Sequence, residues 1–133
     1  MVFSLTSCGV DTSDMKIDYG KSEIYTKDDV DAAIEVILDE VNTWFAIDKI
    51  YSFSYVSYEH NSEYDIVGYA NELADSIGHE PNFDQAIELE CDFHTANFAD
   101  NEGFEPNEDY TGWSWTLART NGGKWHLVTW GYG

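Results

Sequence analysis

Four side chains of one short stretch, Glu88, Glu90, Asp92 and His94 in the run DQAIELECDFHTA (residues 84–96), have the types and spacing for proton transfer or metal ligation. They alternate with Ile87, Leu89, Cys91 and Phe93, so an extended chain sets all four on one face and the apolar four on the other. Asp92 and His94, two apart, form a candidate His/carboxylate pair for general acid–base work, or a source of nitrogen and oxygen ligands for a metal. A strand face of solvated charges has the same pattern, and nothing in the sequence supplies a third partner, so the plainer reading is preferred. His126, beside Trp125, is the residue whose approach would complete such a site. His60 and His79 read as surface residues in the loops around a helix.

Other chemistry is sparse. The acidic run of residues 100–109, ADNEGFEPNED with its leading Ala99, offers oxygens for a hard cation, yet it lacks the ligand order of an EF-hand. There is no nucleophile elbow, P-loop or dinucleotide fingerprint, and no cofactor or metal is expected. Cys91 falls on the apolar side of its strand as a small core residue. The aromatic residues Tyr51, Phe53, Tyr55, Trp113, Trp115 and Trp130 exceed what one helix obviously covers. They are candidates to line a groove for a sugar, peptide or apolar ligand, against the alternative that they fill the core.

The chain has 133 residues, enough for one domain with a real core. With 43% hydrophobic and 16% aromatic residues it is globular, and with 6 Lys and Arg against 26 Asp and Glu its formal net charge is −20. No Lys or Arg lies between Lys49 and Arg119. That field repels nucleic acid and anionic membrane surfaces, and leaves cations, basic proteins or cationic polymers as the electrostatically permitted partners. A small molecule, a peptide or a basic protein is the expected ligand.

At the N-terminus, Leu5-Thr6-Ser7-Cys8 resembles the lipobox of bacterial lipoproteins, in which the Cys thiol receives a diacylglycerol. A secretory signal needs roughly 7–15 apolar residues before it, so the match implies either a signal peptide whose front lies upstream of Met1, or an accident. The expectation is an extracytoplasmic domain anchored to the membrane through Cys8, with a cytoplasmic protein as the alternative. No later segment approaches the roughly 20 apolar residues of a membrane span. A Cys8–Cys91 disulfide is the weaker option. Residues 1–8 then read as residual signal and lipobox, residues 9–24 as a flexible polar tether, and residues 25–133 as one domain.

The elements that position these groups follow from periodicity. Residues 26–45 form an amphipathic helix, with Val30, Ala33, Ile34, Ile37, Leu38, Val41, Trp44 and Phe45 in one stripe and Thr26 and Asp29 as a capping box. Residues 49–58 alternate as a strand with Tyr51, Phe53 and Tyr55 on one face. Residues 61–78 form a second helix, capped by Ser62 and ended at Gly78. After the strand of residues 84–96 and the loop of residues 97–109, the last 25 residues read as a hairpin about Asn121-Gly122. A two-residue turn sets Trp115 opposite Val128 and Trp113 opposite Trp130. Trp113, Trp115, Leu117, Val128 and Trp130 then share one face, and Ala118, Trp125 and Leu127 the other.

The run Arg119-Thr-Asn-Gly-Gly-Lys-Trp125-His-Leu, together with this order of elements, resembles the closing hairpin of the nuclear transport factor 2-like (SnoaL-like, cystatin-like) superfamily. With LTSCG and the acidic linker, it is also similar to small uncharacterised lipoproteins of Gram-positive anaerobes. The resemblance implies an α+β fold, a long N-terminal amphipathic helix on a curved antiparallel sheet of about four strands. Some members use the pocket for isomerase or hydrolase chemistry and others only to bind, so the resemblance selects no function. The expectation is a non-catalytic binding module at the cell envelope. The alternatives are a small isomerase or hydrolase using His94 or His126 with Asp92, and a homo-oligomeric interaction module, such as a homodimer, that pairs sheet to sheet with itself or a partner.

Overall fold

Helix α1 (Lys27–Trp44) begins where its capping residues satisfy the first orphan donors. Thr26 Oγ1 accepts the backbone N–H of Asp29 at 3.1 Å, and the Asp29 carboxylate accepts that of Thr26 at 2.9 Å. The expected stripe is buried from Val30 to Val41. These contacts belong to the computed structural model, which describes residues 9–44, 46–97 and 103–132. Residues 1–8, and with them Cys8 and the lipobox, lie outside the described residues, as do Phe45, residues 98–102 of the acidic loop, and Gly133.

The chain is α+β, and its sheet has five strands in the order β1 (Lys16–Asp18), β2 (Ile47–Val56), β3 (Gln85–Thr95), β4 (Asp109–Arg119), β5 (His126–Tyr132). β1 runs parallel to β2 and the remaining pairs are antiparallel, so the sheet is mixed rather than four-stranded and antiparallel. Nor is α1 the N-terminal element, because residues 9–24 are docked instead of forming a tether. Val10 is buried, Asp11 N–H donates to Asp48 O at 2.8 Å, and Ile50 N–H donates to Asp11 O at 3.0 Å. The edge of β2 would otherwise expose its backbone groups, and Met15, Ile17 and Tyr19 alternate so as to reach the core beneath it. Tyr19 also donates to Asp31 Oδ1 at 2.7 Å, which satisfies a carboxylate only 2% exposed on α1.

One face of the sheet carries α1. Its core joins the helix stripe to Ile50 and Phe53 of β2, Ile87, Leu89, Cys91 and Phe93 of β3, and Trp115 and Leu117 of β4. The opposite face is covered at one end by the second helix, α2 (Ile66–Leu73), over a small core of Ala70, Ala74, Phe83, Ala86, Ala118 and Val128. This helix is shorter than expected. Asp65, not Ser62, is its cap, accepting Gly68 N–H at 2.9 Å, and residues 61–64 form a turn. A β-carbon at Gly68 would meet the Asp65 carboxylate, so a larger residue there would displace the capping side chain. A 3-10 turn (Ala74–Ile77) follows and ends at Gly78 in the left-handed region, φ 69°.

The final hairpin keeps its two arms but not the expected register. Gly123 N–H donates to Thr120 O at 2.7 Å, and the strands part at Arg119 and rejoin at His126, so the loop is longer than Asn121-Gly122 alone. Trp115 therefore faces Trp130 and Trp113 faces Tyr132. A bulge between Thr116 and Leu117 turns Val128 to the α2 side, while Trp125 packs on the α1 side. A second bulge, between Ile50 and Ser52, takes Tyr51 out of line with Phe53 and Tyr55, so the three rings do not share a face.

Candidate functional site

Where α2 stops, the second face of the sheet is open. The strands there present what the alternation leaves over: Glu88 and Glu90 from β3, Gly112, Ser114 and Thr116 from β4, and Thr129 and Gly131 from β5. Gly112 and Gly131 carry no side chain and Ser114 a short one, so this floor is low. The segment between β2 and α2 raises a wall over it. Tyr58 and Tyr64 stack with ring centroids 4.4 Å apart, and Tyr69 of α2 meets Tyr64 edge-on at 6.4 Å. Floor and wall enclose a cleft of about 430 Å³, within the size range of small-molecule sites.

Glu88 is the polar centre of this cleft. Its Oε2 accepts the Tyr58 phenol at 3.1 Å and the Ser114 hydroxyl at 3.3 Å. Burial pushes its carboxyl above the ordinary range despite those two donors, and the neighbouring Glu90 adds to the rise. The same environment pushes the Tyr58 phenol up to about 12, chiefly by burial and then by the charge of Glu88. Among the described residues, no Lys or Arg lines the cleft.

The residues singled out from sequence are distributed differently. Asp92 accepts Gly112 N–H at 2.9 Å and so pins the irregularity between Cys91 and Phe93, with Gly112 at φ 69°. His94 pairs instead with Asp109, Nδ1 to Oδ1 2.9 Å, and Tyr51 donates to the same oxygen at 2.8 Å. These two partners hold the Asp109 carboxyl below its usual range. His126 lies at the far end of the sheet, opposite Ala118 and hence in line with Ala86. The eight residue steps from Ala86 to His94 separate the two histidines by about 26 Å of strand. His126 instead meets His79 and Phe83, and burial followed by the His79 and Lys124 charges lowers its pKa.

Among the six aromatic candidates, Phe53 and Trp115 are wholly buried core residues. Tyr55 packs edge-on with Tyr25, and Tyr51 is exposed on the other face. Tyr55 also lines a small pocket with Tyr25, Ile66 and Val67. Trp130 lines the tyrosine-walled cleft. With Trp113 it also borders a groove formed with Trp44, Phe104, Tyr110 and Tyr132, whose rim at Gly103 adjoins residues outside the described ones. Trp113 Nε1 is buried there without a partner among the described residues. Cys91 is core, as its alternation implied. Trp115 Nε1 donates to its sulfur at 3.0 Å, and burial pushes the thiol up to about 12.

Among the described residues, Glu23, Glu59 and His60 bring one ligand atom each within 4.8 Å of one another. Glu59, however, already accepts from Ser22, the Glu23 backbone and Tyr55. It clamps a loop. No helix among the described residues is long and apolar enough to cross a membrane.

Reading the sequence for histidines and tryptophans missed Tyr58, Tyr64 and Tyr69. The signal available was in β4, where Gly112, Ser114 and Thr116 form a face stripped of bulk behind Trp113, Trp115 and Leu117. No protein-family model, curated protein or solved structure matches the chain.

Proposed function

We propose that the chain is a non-catalytic binding module, held at the outer face of a membrane through an acylated Cys8, with the tyrosine-walled cleft as its ligand site. The observation that carries this reading is the placement of Glu88. A half-buried carboxylate with two protein donors stands under stacked rings in an open cleft, which is recognition geometry. The groups that an acid–base enzyme would use are apart, Asp92 on a backbone N–H, His94 on Asp109 and His126 at the other end of the sheet. The anchor is supported by the sequence Leu5-Thr6-Ser7-Cys8 alone. One diacylglycerol carries two chains, enough for stable attachment.

The fold assignment to the nuclear transport factor 2-like superfamily is part of the same proposal. It draws on α1 lying against the sheet and on the closing hairpin through Arg119 and Trp125, while the parallel β1 is a departure.

A small-molecule library screened by two-dimensional amide spectra of the labelled chain tests the binding role. Ligands should move the amides of Glu88, Ser114 and Tyr64 together. Hits that map consistently to another surface would overturn the assignment of the site. Labelling with a lipid precursor tests the anchor: the label should be lost in Cys8→Ala, and its retention would refute acylation there.

A further inference from the structure

The charge environment of the cleft narrows its ligand. Both protein donors to Glu88 reach the same oxygen, Oε2, and Oε1 takes no hydrogen bond among the described residues. The ionised carboxylate thus keeps a free acceptor toward the cleft. Its desolvation is offset by no protein cation, because the lining has none and residues 50–118 contain no Lys or Arg. Glu90 adds a second negative charge from the same strand face.

The wall beside these carboxylates is aromatic. Tyr58, Tyr64 and Tyr69 line the cleft, the first two stacked on each other and the third edge-on to Tyr64, and aromatic rings carry negative potential on their faces. Rings contribute no ligands to a hard metal ion, which needs several converging oxygens, but they do attract a diffuse, weakly hydrated positive charge. An anionic ligand would meet the Glu88 and Glu90 charges and the net charge of −20.

We infer that the cleft takes a small organic cation, an ammonium group on an aliphatic stem, seated against Glu88 and bounded by Tyr58, Tyr64 and Tyr69; this rests on the binding role proposed above. The floor of Gly112, Ser114 and Gly131 leaves depth for the alkyl groups. Glu88 faces Tyr58, Ser114 and Glu90, and its carboxyl is raised by burial and by Glu90 against the two hydrogen bonds, so acidification protonates it and weakens cation binding.

The decisive experiment compares two probes of the same shape that differ in charge, choline and 3,3-dimethylbutan-1-ol. Each is titrated into the full labelled chain and followed by amide shifts. Choline should perturb Glu88, Ser114 and Tyr64 and bind at least about tenfold more tightly than the alcohol. Glu88→Gln should reduce choline affinity at least about fivefold and leave the alcohol unchanged, whereas Tyr64→Leu should weaken both. Equal affinity for the two probes would overturn the cation assignment and leave the cleft as a neutral binding site. Choline shifts mapping elsewhere, or none at saturating concentration, would also overturn it. Should Glu88→Gln lose its dispersed spectrum, the wild-type probe comparison and Tyr64→Leu still decide.

Discussion

On the α1 side of the sheet, β3 presents Ile87, Leu89, Cys91 and Phe93, all buried beneath an 18-residue helix. On the other side the same strand presents Glu88, Glu90, Asp92 and His94, and the helix that partly covers it has eight residues. The long helix seals most of its face with apolar contacts, and the groove beside Trp44 lies at its C-terminal end. The short one covers only the end where Ala86, Ala118 and Val128 make a small core, and the remaining polar face becomes a cleft under three tyrosines. In this fold, the site lies where helix cover runs out.

This contrast can be broken from the sealed side first. Trp115→Ala empties a fully buried position and removes the donor to Cys91, and should cost about 3–5 kcal/mol in chemical denaturation. A cost typical of an exposed site would mean that the α1 face is not the stabilising one.

The next largest effect lies where the sealed face meets the hairpin. Arg119 donates to Asp29 Oδ1 at 3.1 Å and to Gln85 Oε1 at 2.7 Å, and lies 4.2 Å from the centre of the Trp125 ring. Arg119→Ala leaves Asp29 without its cation and should cost about 2 kcal/mol by denaturation. The Asp29 carboxyl, though opposed by burial, is held below its usual range by Thr26 N–H and Arg119. Its contribution is therefore present above the ordinary carboxylate range and lost as pH falls through the lowered value. The variant should accordingly show a shallower loss of stability on acidification.

Thr26→Ala removes half of the capping box and should cost about 1 kcal/mol, seen as a modest fall in Tm.

The smallest effect on stability belongs to the open side. Glu88→Gln should change stability by only about 0.5 kcal/mol at neutral pH, and in the favourable direction, since it removes a half-buried charge. The sign with pH is opposite to that of Asp29. A carboxyl raised in the fold holds its proton more tightly than in the unfolded chain, so ionisation costs stability as pH rises through that window. The advantage of Glu88→Gln over wild type should shrink on acidification. A variant clearly less stable at neutral pH would show that Glu88 serves the fold and not a ligand.

Helix α1, its capping box, the alternation of β3 and the core position of Cys91 were all readable, because each rests on contacts set by local spacing. The docking of residues 9–24 was not, although Met15, Ile17 and Tyr19 alternate, because a three-residue strand forms only when a partner edge is waiting. The faces of Val128 and Tyr51 depended on bulges, and one extra residue in a strand reverses every side chain beyond it.

The sequence by itself determined which residues alternate, where the first helix is capped, and that a chain of net charge −20 carries no Lys or Arg from 50 to 118. Only the tertiary structure decided that His94 and His126 stand at opposite ends of the sheet, and that Tyr58, Tyr64 and Tyr69 close over Glu88. Periodicity is a property of neighbours along the chain. A cleft is made by strand register, bulges and the length of the covering helix, which bring together residues that no local spacing relates.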